Sequence, residues 1–425
     1  MSDRRSILNR RRFLRAAALT GAAAIATPVV MNARTLGFNG EVAASERITL
    51  AGFGIHSRGG YDLSVFMERP EIQFVAIADI QRKQREAIKA QTEGKYGPGV
   101  DTYRDFREML PRQDIDCLLI ATGDRWHSMA SIMAARAGKD VYCEKPCTMT
   151  IAESLAMETL YERYGRVYQA GTQRRSVANF QFATELCHSG KLGKLTTVHA
   201  NTLHPAVTHN WKPAQPQPDI DEVDWDMWLG PCPWRPFNQE YVNGDWRGFF
   251  DFHGGGLLEW GSHTVDQCNW AACNDETLPY LYEPTERGCV ATYKSGLKLV
   301  MRDSGWMGLG TCSVRYEGED GWVETGDSGR LEFGSNKLRA EQREYSEVGT
   351  SAVSHVANFI DAVKTRRQAH SRAEIVARSH IICHAAYIAW QLKRNLELNL
   401  DDYTFVGDDE ANRMRSRPIR EPWYI

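Results

Sequence analysis

A short apolar run that ends in a Gly-x-Gly turn constrains the fold of this chain more than any other feature. Residues 48–51 lead into Gly52 and Gly54, and the next apolar run, residues 74–78, ends at Asp79. A strand, a glycine turn, a helix and a second strand with an acidic end form a dinucleotide-binding unit. The glycines let a pyrophosphate approach the helix N-terminus, and the Asp79 carboxylate would accept hydrogen bonds from the adenosine ribose.

The residues around this turn bear on which dinucleotide binds. Ser57 stands where the usual pattern has its third glycine. The Asp79 carboxylate repels a 2′-phosphate and therefore favours NAD. Arg82 and Lys83 follow it closely, and they or Arg58 could neutralise such a phosphate. We therefore predict NAD as the cofactor and keep NADP as the alternative.

The alternation of strands and helices continues through the first 170 residues. We expect strands at residues 117–121, 140–143 and 167–170, and helices at residues 126–137 and from Thr150, where Glu153 stands at capping-box spacing. Strands that alternate with helices indicate a doubly wound, mostly parallel sheet.

The second half has a different pattern. We expect strands at residues 195–201, 289–293, 298–302, 313–317 and 321–325, and helices at residues 257–272, 352–364 and 373–396. Residues 204–250 are rich in proline and tryptophan and show little periodicity, which in a compact domain often marks a functional segment. Its Trp211, Trp246 and Arg247 are candidate substrate contacts, although core packing explains tryptophans equally well.

A glycine-rich segment at residues 254–266 carries the clearest candidate for proton transfer. On a helix, Glu259 and His263 lie four residues apart and therefore on one face. Asp266, three residues further on, could hold the imidazole ring of His263.

Together these motifs resemble the glucose–fructose oxidoreductase/inositol dehydrogenase (Gfo/Idh/MocA) family. The resemblance rests on Thr122 with His127, on Glu144-Lys145-Pro146, and on the segment that holds Glu259 and His263, and it covers the chain after residue 45. It implies an α/β Rossmann domain at residues 45–171 and an α+β domain at residues 172–425, whose large, mostly antiparallel sheet is flanked by helices. It also implies a homodimer or a homotetramer.

The resemblance implies roles for individual residues. Lys145 would lie beside the nicotinamide and the substrate hydroxyl, and the peptide bond before Pro146 can be cis. Gln173 and Arg174 would contact the cofactor or the substrate. The full set of implied cofactor contacts after Asp79 is Arg82, Thr122, Trp126, His127, Glu144, Lys145 and Gln173.

Oxidation of a carbinol requires a group that takes the hydroxyl proton. Burial near a cationic nicotinamide should lower the pKa of Lys145 toward neutrality, and His263 titrates near working pH without help. We predict that these two carry protons and that Glu259 orients them or binds substrate. The family has aspartate at position 259, so the added methylene of Glu259 puts that role in doubt.

Three functional hypotheses follow. The first is an oxidoreductase that acts on a sugar, a glycoside or a cyclic polyol with a tightly held, internally recycled cofactor. The second is a glycosidase that uses transient oxidation and returns the hydrogen at the end of a redox-neutral cycle. The third is a non-catalytic sugar-binding protein on a dehydrogenase scaffold, against which the presence of Lys145 and His263 argues.

The first 44 residues resemble a twin-arginine export signal. Arg10, Arg11, Phe13, Leu14 and Arg15 precede an apolar, alanine-rich run that is too short to span a bilayer stably. Cleavage could follow Ala33 or Ala44. We therefore expect recognition by the twin-arginine export machinery, a periplasmic or otherwise exported protein, and no stable membrane anchor after processing.

Charge and cysteine content bound the remaining possibilities. A formal net charge of -3 gives no reason to expect nucleic-acid binding. The ten cysteines are scattered rather than set at disulfide spacings, and no histidine is placed to complete a zinc site with them. We predict buried thiols and no metal.

Overall fold

The computed structural model describes residues 42–345 and 347–425. The twin-arginine motif and the apolar run of the predicted leader lie outside the described residues. The chain divides into a short unit that ends at Arg47, with a 3-10 helix at Ala44–Glu46, and a second unit, Ile48–Ile425. In the described part of the chain, no helix combines the length and the apolar character needed to cross a bilayer.

A six-stranded parallel sheet forms the first half of the large unit. Its strands are β1 Ile48–Phe53, β2 Ile72–Ala78, β3 Asp101–Tyr103, β4 Cys117–Ile120, β5 Asp140–Cys143 and β6 Tyr168–Ala170, in the order β3-β2-β1-β4-β5-β6. The central strands β4 and β5 are buried throughout, as expected for a sheet covered by helices on both faces.

Helices connect these strands. They are α1 Ser57–Met67, α2 Arg82–Tyr96, α3 Phe106–Met109, α4 Asp124–Arg136 and α5 Ile151–Tyr164. The predicted cap of α5 is present, because the Thr150 hydroxyl accepts a hydrogen bond from the Glu153 amide at 3.1 Å. The helix ends at Gly165, which adopts a left-handed conformation with φ 58°.

An eight-stranded, mostly antiparallel sheet forms the second half. Its strands are β7 Leu195–Asn201, β8 Leu281–Thr285, β9 Gly288–Thr292, β10 Lys298–Arg302, β11 Val314–Gly318, β12 Gly321–Thr325, β13 Leu331–Phe333 and β14 Leu396–Glu397. Their order is β13-β12-β11-β7-β10-β9-β8-β14, and β7 pairs in parallel with β10. This architecture confirms the predicted fold class.

The remaining helices pack against this sheet or return to the first one. They are α6 Ala178–His188, α7 Trp225–Leu229, α8 Gln239–Val242, α9 Gly256–Cys273, α10 Asn336–Arg339, α11 Val353–Thr365, α12 Ala373–Leu392 and α13 Asp409–Arg413. Val265 of α9 and Ile382 of α12 share a buried core with Val198 of β7. Helix α11 packs on the first half, where the Phe359 and Phe66 rings lie 6.0 Å apart.

Two sequence predictions need correction. The last long helix ends at Leu392 rather than at residue 396, because Lys393 takes a left-handed conformation, and Leu396 then pairs with Tyr282 as an edge strand. Residues 204–250 are less irregular than expected. They fold around a buried, largely aromatic cluster, which consists of Trp225, Trp228, Leu229, Cys232, Phe237, Tyr241, Trp246 and Phe252.

The ten cysteines carry free thiols. Nine of them are buried and Cys273 is half-buried, which agrees with the prediction of buried thiols. Burial raises the pKa of Cys147 and of Cys268 well above the usual thiol value, so both remain protonated near neutral pH.

Candidate active site

An open groove of about 1150 Å³, solvent at its mouth included, runs along the carboxyl ends of the parallel strands. Ligands bind at this edge in sheets of this type. Among the lining residues are Gly54, Ser57, Arg58, Asp79, Thr122, Trp126, His127, Glu144 and Lys145 from the first half, and Trp246, Arg247 and Glu259 from the second. The sequence predicts every one of these as a site residue.

The middle of the groove suits a pyrophosphate. Gly54 turns the chain with φ +68°, and a β-carbon there would lie only 2.3 Å from the Thr122 methyl group. Helix α1 starts three residues later, at Ser57, and its N-cap residue, His56, makes no side-chain capping hydrogen bond within the described part of the chain. The first amides of α1 therefore have no side-chain acceptor from the cap, and they are the donors that bind a phosphate at a helix N-terminus.

One end of the groove is built around the Asp79 carboxylate. Asp79 is 1% exposed and accepts a hydrogen bond from the Gln81 amide at 2.9 Å. The His56 Nε2 atom lies 3.1 Å from its other oxygen. Burial by itself lowers the pKa of His56, but the hydrogen bond to Asp79 and its charge outweigh burial and raise that pKa. The sequence predicts that the adenosine ribose binds at this end of the groove.

Arg58 joins the groove to a buried acidic pair behind it. Its guanidinium lies 3.1 Å from Asp62 and 3.6 Å from Glu144. Burial and the neighbouring Glu144 charge raise the pKa of Asp62 well above the usual value for aspartate, against the opposing effect of Arg58. Because Arg58 is already paired with two carboxylates, the structure does not support it as a partner for a 2′-phosphate.

Lys145 and Glu259 form an ion pair at the opposite end. The Lys145 ammonium donates to the Glu259 carboxylate at 2.9 Å and to the Glu259 carbonyl at 3.0 Å. The Lys145–Pro146 peptide bond is cis. Burial lowers the pKa of Lys145, but the Glu259 charge and hydrogen bond outweigh it, so the pKa is raised. The predicted lowering of the Lys145 pKa beside a cationic nicotinamide omitted this carboxylate, which acts in the opposite direction.

Glu259 also contacts His253, a residue that the sequence analysis missed. Its second oxygen lies 3.1 Å from His253 Nε2, while the Gly255 amide donates to His253 Nδ1 at 3.2 Å. Since Nδ1 accepts, the ring proton lies on Nε2 and points at Glu259. Burial raises the pKa of Glu259, but Lys145 and His253 reverse this and hold it well below the usual glutamate value.

The side chains of Asp124, His253 and Glu259 converge closely enough to suggest a cation site. Their oxygen and nitrogen atoms lie within 4.8 Å of one another. However, a metal would have to bind His253 through Nε2. That atom carries the ring proton, because Nδ1 accepts a hydrogen bond from the Gly255 amide. The Lys145 ammonium also occupies one Glu259 oxygen. We therefore interpret this cluster as a proton-handling network.

His263 differs from its predicted role. Its Nε2 accepts a hydrogen bond from Arg174 at 2.6 Å, and Arg174 also pairs with Asp327 at 2.8 Å. Burial and the Arg174 charge lower the pKa of His263 well below its usual value. A neutral ring that accepts at Nε2 carries its proton on Nδ1, which is buried and has no hydrogen-bond partner among the described residues. His263 is thus a fixed donor rather than a group that titrates near neutrality.

The prediction that Asp266 holds the His263 ring is wrong. Both Asp266 oxygens bind Arg175, at 2.6 and 2.9 Å, and Arg175 also binds Asp275 at 2.8 Å. The buried guanidinium of Arg175 attracts the carboxylate more strongly than a neutral imidazole would.

Several other predicted site residues do not line the groove. Gly52 lies within β1, and Trp211 is 53% exposed with Arg235 stacked 4.1 Å from its ring. The Gln173 side-chain oxygen, in the amide orientation that satisfies its neighbours, accepts from Arg58 and Arg174. Arg82 pairs with Asp221 of the second half. The structure therefore gives no support to Trp211 as a substrate contact.

Two family models match the chain. One, described as an oxidoreductase family NAD-binding Rossmann fold, matches residues 47–172. The other, described as the C-terminal alpha/beta domain of that family, matches residues 188–425. Together they cover most of the sequence, and the boundary between them falls close to the end of β6.

The individual relatives have low sequence identity to this chain. Inositol 2-dehydrogenase from Salmonella typhimurium is 25% identical over 161 residues, which is 37% of this chain and 47% of that protein, so the match spans about half its length. Rhizopine catabolism protein MocA from Rhizobium meliloti is 24% identical over 78% of this chain and 95% of its own. The Bordetella pertussis WlbA dehydrogenase, solved with NADH and UDP-GlcNAcA, superposes with a TM-score of 0.62 at 17% identity, covering 84% of this chain and 100% of its own.

Proposed function

The chain belongs to the Gfo/Idh/MocA oxidoreductase family, and we propose that it oxidises or reduces a hydroxyl-bearing carbon of a sugar, a glycoside or a cyclic polyol with NAD(P). The observation that carries the proposal is the Lys145–Glu259 pair, 2.9 Å apart, at one end of a groove whose other end holds Asp79. This spacing of groups along one groove suits a nicotinamide dinucleotide with its reactive ring beside Lys145.

A nicotinamide bound there would supply the acceptor of a hydride from the carbinol carbon, or the donor of a hydride to it. Lys145 handles the accompanying proton. In the reductive direction its ammonium donates to the carbonyl oxygen, and in the oxidative direction its neutral amine accepts the hydroxyl proton. Glu259 orients Lys145 and balances its charge through their 2.9 Å contact, while His253 holds the second Glu259 oxygen in place.

We also propose that the cofactor is NAD, that it stays bound between turnovers, and that the protein works after twin-arginine export. Retention is supported by Trp246 and Arg247 of the second half, which face the Rossmann edge across the groove. Export is supported by the sequence motif that consists of Arg10, Arg11, Phe13, Leu14 and Arg15 and by the apolar run that follows it. Soluble NAD is scarce outside the cytoplasm, so an exported enzyme needs a bound cofactor that one substrate reduces and another reoxidises.

A homodimer or homotetramer is the proposed assembly. The second sheet buries Val198 and Ala200 toward its helices, while His199 on the alternate face of β7 is only half-buried. On the same face of the sheet, the Arg315 guanidinium lies 3.9 Å from the centre of the Trp322 ring. A half-buried face with stacked aromatic and cationic side chains supports a subunit contact.

The function is tested by product analysis. Purified protein without residues 1–44 is incubated with sugars, glycosides and inositols, and the products are separated by chromatography and mass spectrometry. We expect a keto product together with a reduced acceptor or reduced nicotinamide. Release of an aglycone without net oxidation would instead identify the redox-neutral glycosidase, and absence of both products would contradict enzymatic function on these substrates.

Lys145→Ala tests the assigned proton carrier in the same assay. We expect the variant to fold and keep its nucleotide, yet to lose at least ~10²-fold in turnover, because no other amine replaces its proton transfer. Lys337→Ala, which removes an exposed lysine from α10, is the control. Near-normal turnover of Lys145→Ala would contradict the mechanism.

A further inference from the structure

We propose that Asp221 makes the cofactor site selective for NAD over NADP by occupying Arg82 and Arg104. The inference rests on the proposed function only in taking a nicotinamide dinucleotide as the ligand. Asp221 belongs to residues 219–224 of the second half, which lie across the end of the groove that holds Asp79.

Two arginines lie next to the strand end that leads to Asp79. Asp79 follows the last residue of β2, and Arg82 opens α2 three residues later. Arg104 follows the last residue of β3, which pairs with β2, so both guanidinium groups lie at the same sheet edge. Arginines beside the ribose are the usual receptors for the 2′-phosphate of NADP.

Asp221 binds both arginines with one carboxylate. Its Oδ2 lies 3.1 Å from Arg82 Nη2, and its Oδ1 lies 3.1 Å from Arg104 Nη1. Asp224 adds a second carboxylate, 3.2 Å from Arg104 Nε. The charges of the two guanidinium groups are thus balanced by two carboxylates of the segment, and a phosphate would have to displace them.

Backbone hydrogen bonds hold the segment in this position. The Asp224 amide donates to the Ile80 carbonyl at 3.1 Å, and the Arg82 amide donates to the Glu222 carbonyl at 3.2 Å. These bonds flank Gln81, which forms an isolated bridge with Val223. The segment is therefore attached directly to the turn after Asp79, and the position of Asp221 follows from main-chain pairing.

The exposure of these side chains indicates selectivity rather than stability as the role of Asp221. Asp221 and Arg82 are 57% and 49% exposed, and ion pairs with such exposure contribute little to folding. A fixed negative charge beside the 2′ position nevertheless opposes a dianionic phosphate. The neutral 2′-hydroxyl of NAD meets no such repulsion and can donate to Asp79.

Asp221→Asn removes the charge at nearly constant shape, so that Arg82 loses its carboxylate partner and Arg104 keeps only Asp224. The purified protein is incubated with an excess of an equimolar mixture of NAD⁺ and NADP⁺, so that bound nucleotide exchanges. Unbound nucleotide is removed, the protein is denatured, and the released nucleotides are quantified. We expect the bound NADP:NAD ratio to rise about tenfold over that of the unmodified protein. Asp221→Asn/Arg82→Ala should lose most of this gain, because one receptor for the phosphate is gone.

Glu222→Gln is the matched control, since it removes the adjacent exposed carboxylate. We expect its NADP:NAD ratio to equal that of the unmodified protein. An unchanged ratio in Asp221→Asn, or an equal rise in Glu222→Gln, would overturn the inference while leaving the proposed function intact. Failure of the unmodified protein to hold either nucleotide would overturn both. Circular dichroism checks that each variant is folded.

Discussion

At the scale of single residues, Glu259 shows what a longer acid accomplishes where the family has aspartate. One of its oxygens lies 2.9 Å from Lys145 and the other 3.1 Å from His253. One carboxylate therefore bridges two partners. The family resemblance left the role of Glu259 open, and the structure adds a contact with His253, which comes directly before the three glycines of the segment.

Glu259→Gln should shift the pH dependence of oxidation to lower pH. Glu259 raises the pKa of Lys145 against the effect of burial, so without its charge that pKa falls, although Glu144 and Asp124 still oppose the fall. Oxidation needs the neutral amine, so the rate rises with pH until Lys145 is deprotonated. We expect that plateau at least about one pH unit lower in Glu259→Gln.

The measurement is kcat/KM for oxidation between pH 6 and pH 11, and the position of the rise, rather than its height, is the readout. The conservative variant Glu259→Asp keeps the charge and should keep the position of the rise, at lower activity. A profile of Glu259→Gln that coincides with that of the unmodified protein would show that Glu259 does not control the Lys145 pKa.

At the scale of elements, the placement of Glu259 depends on how closely α9 approaches the chain at its first residue. A β-carbon on Gly256 would lie 2.0 Å from the His204 carbonyl oxygen, a distance that real side chains do not tolerate. The start of α9 therefore requires glycine here. A larger residue would displace the turn of helix that holds Glu259 next to Lys145.

Gly256→Ala should consequently lower turnover by at least ~10²-fold, because displacement of a catalytic group by about an ångström has that effect. Gly60→Ala in α1 is the control, since a β-carbon there meets nothing within 4 Å. Alanine in an open helical position should raise the free energy of unfolding by about 0.4–1 kcal/mol. Steady-state kinetics and urea unfolding measure both variants, and full activity of Gly256→Ala would refute the contact.

A second element-scale prediction concerns the buried cluster that ties α9 to the chain after β6. Asp266→Ala leaves Arg175 with only Asp275, and loss of one partner from a buried ion pair costs about 3–5 kcal/mol in unfolding free energy. Glu185→Ala, which breaks an exposed pair with Arg343, should cost less than about 1 kcal/mol. Similar losses in the two urea titrations would argue against this account.

The elements also show what sequence patterns can and cannot predict. The strands at residues 117–121 and 140–143 were predictable because fully buried parallel strands are continuous apolar runs. The edge strand at Leu396–Glu397 was not, since two residues carry no periodicity and their pairing with β8 depends on distant chain. The predicted partner of Asp266 was wrong for a related reason, because its actual partner, Arg175, lies 91 residues away in the sequence.

At the scale of the whole molecule, the groove is assembled from residues of both halves. Thr122 and Lys145 come from the Rossmann half, whereas Trp246 and Glu259 come from the other. The motifs at residues 52–54 and 144–146 could be recognised in the sequence because each is local. The segment at residues 219–224 could not be placed at Arg82, since nothing in its composition indicates its partner.

Protein purified without residues 1–44 should release about one equivalent of nucleotide when it is denatured. The physical reason is that the groove has walls from both halves, so a bound dinucleotide leaves only when they separate. Chromatography with mass detection identifies the nucleotide. An empty protein that also fails to bind added NAD⁺ or NADP⁺ would contradict the cofactor proposal.

The contact between residues 219–224 and the turn after Asp79 has a consequence for biosynthesis. During translation, residues 48–172 leave the ribosome first, but Arg82 and Arg104 meet Asp221 only after about 50 further residues have been made. Lys145 likewise waits for Glu259, which is 114 residues further along the chain. A nascent Rossmann half therefore offers an unselective and incomplete site. Loading with the correct nucleotide would then report that synthesis has passed Glu259 and that the two halves have docked.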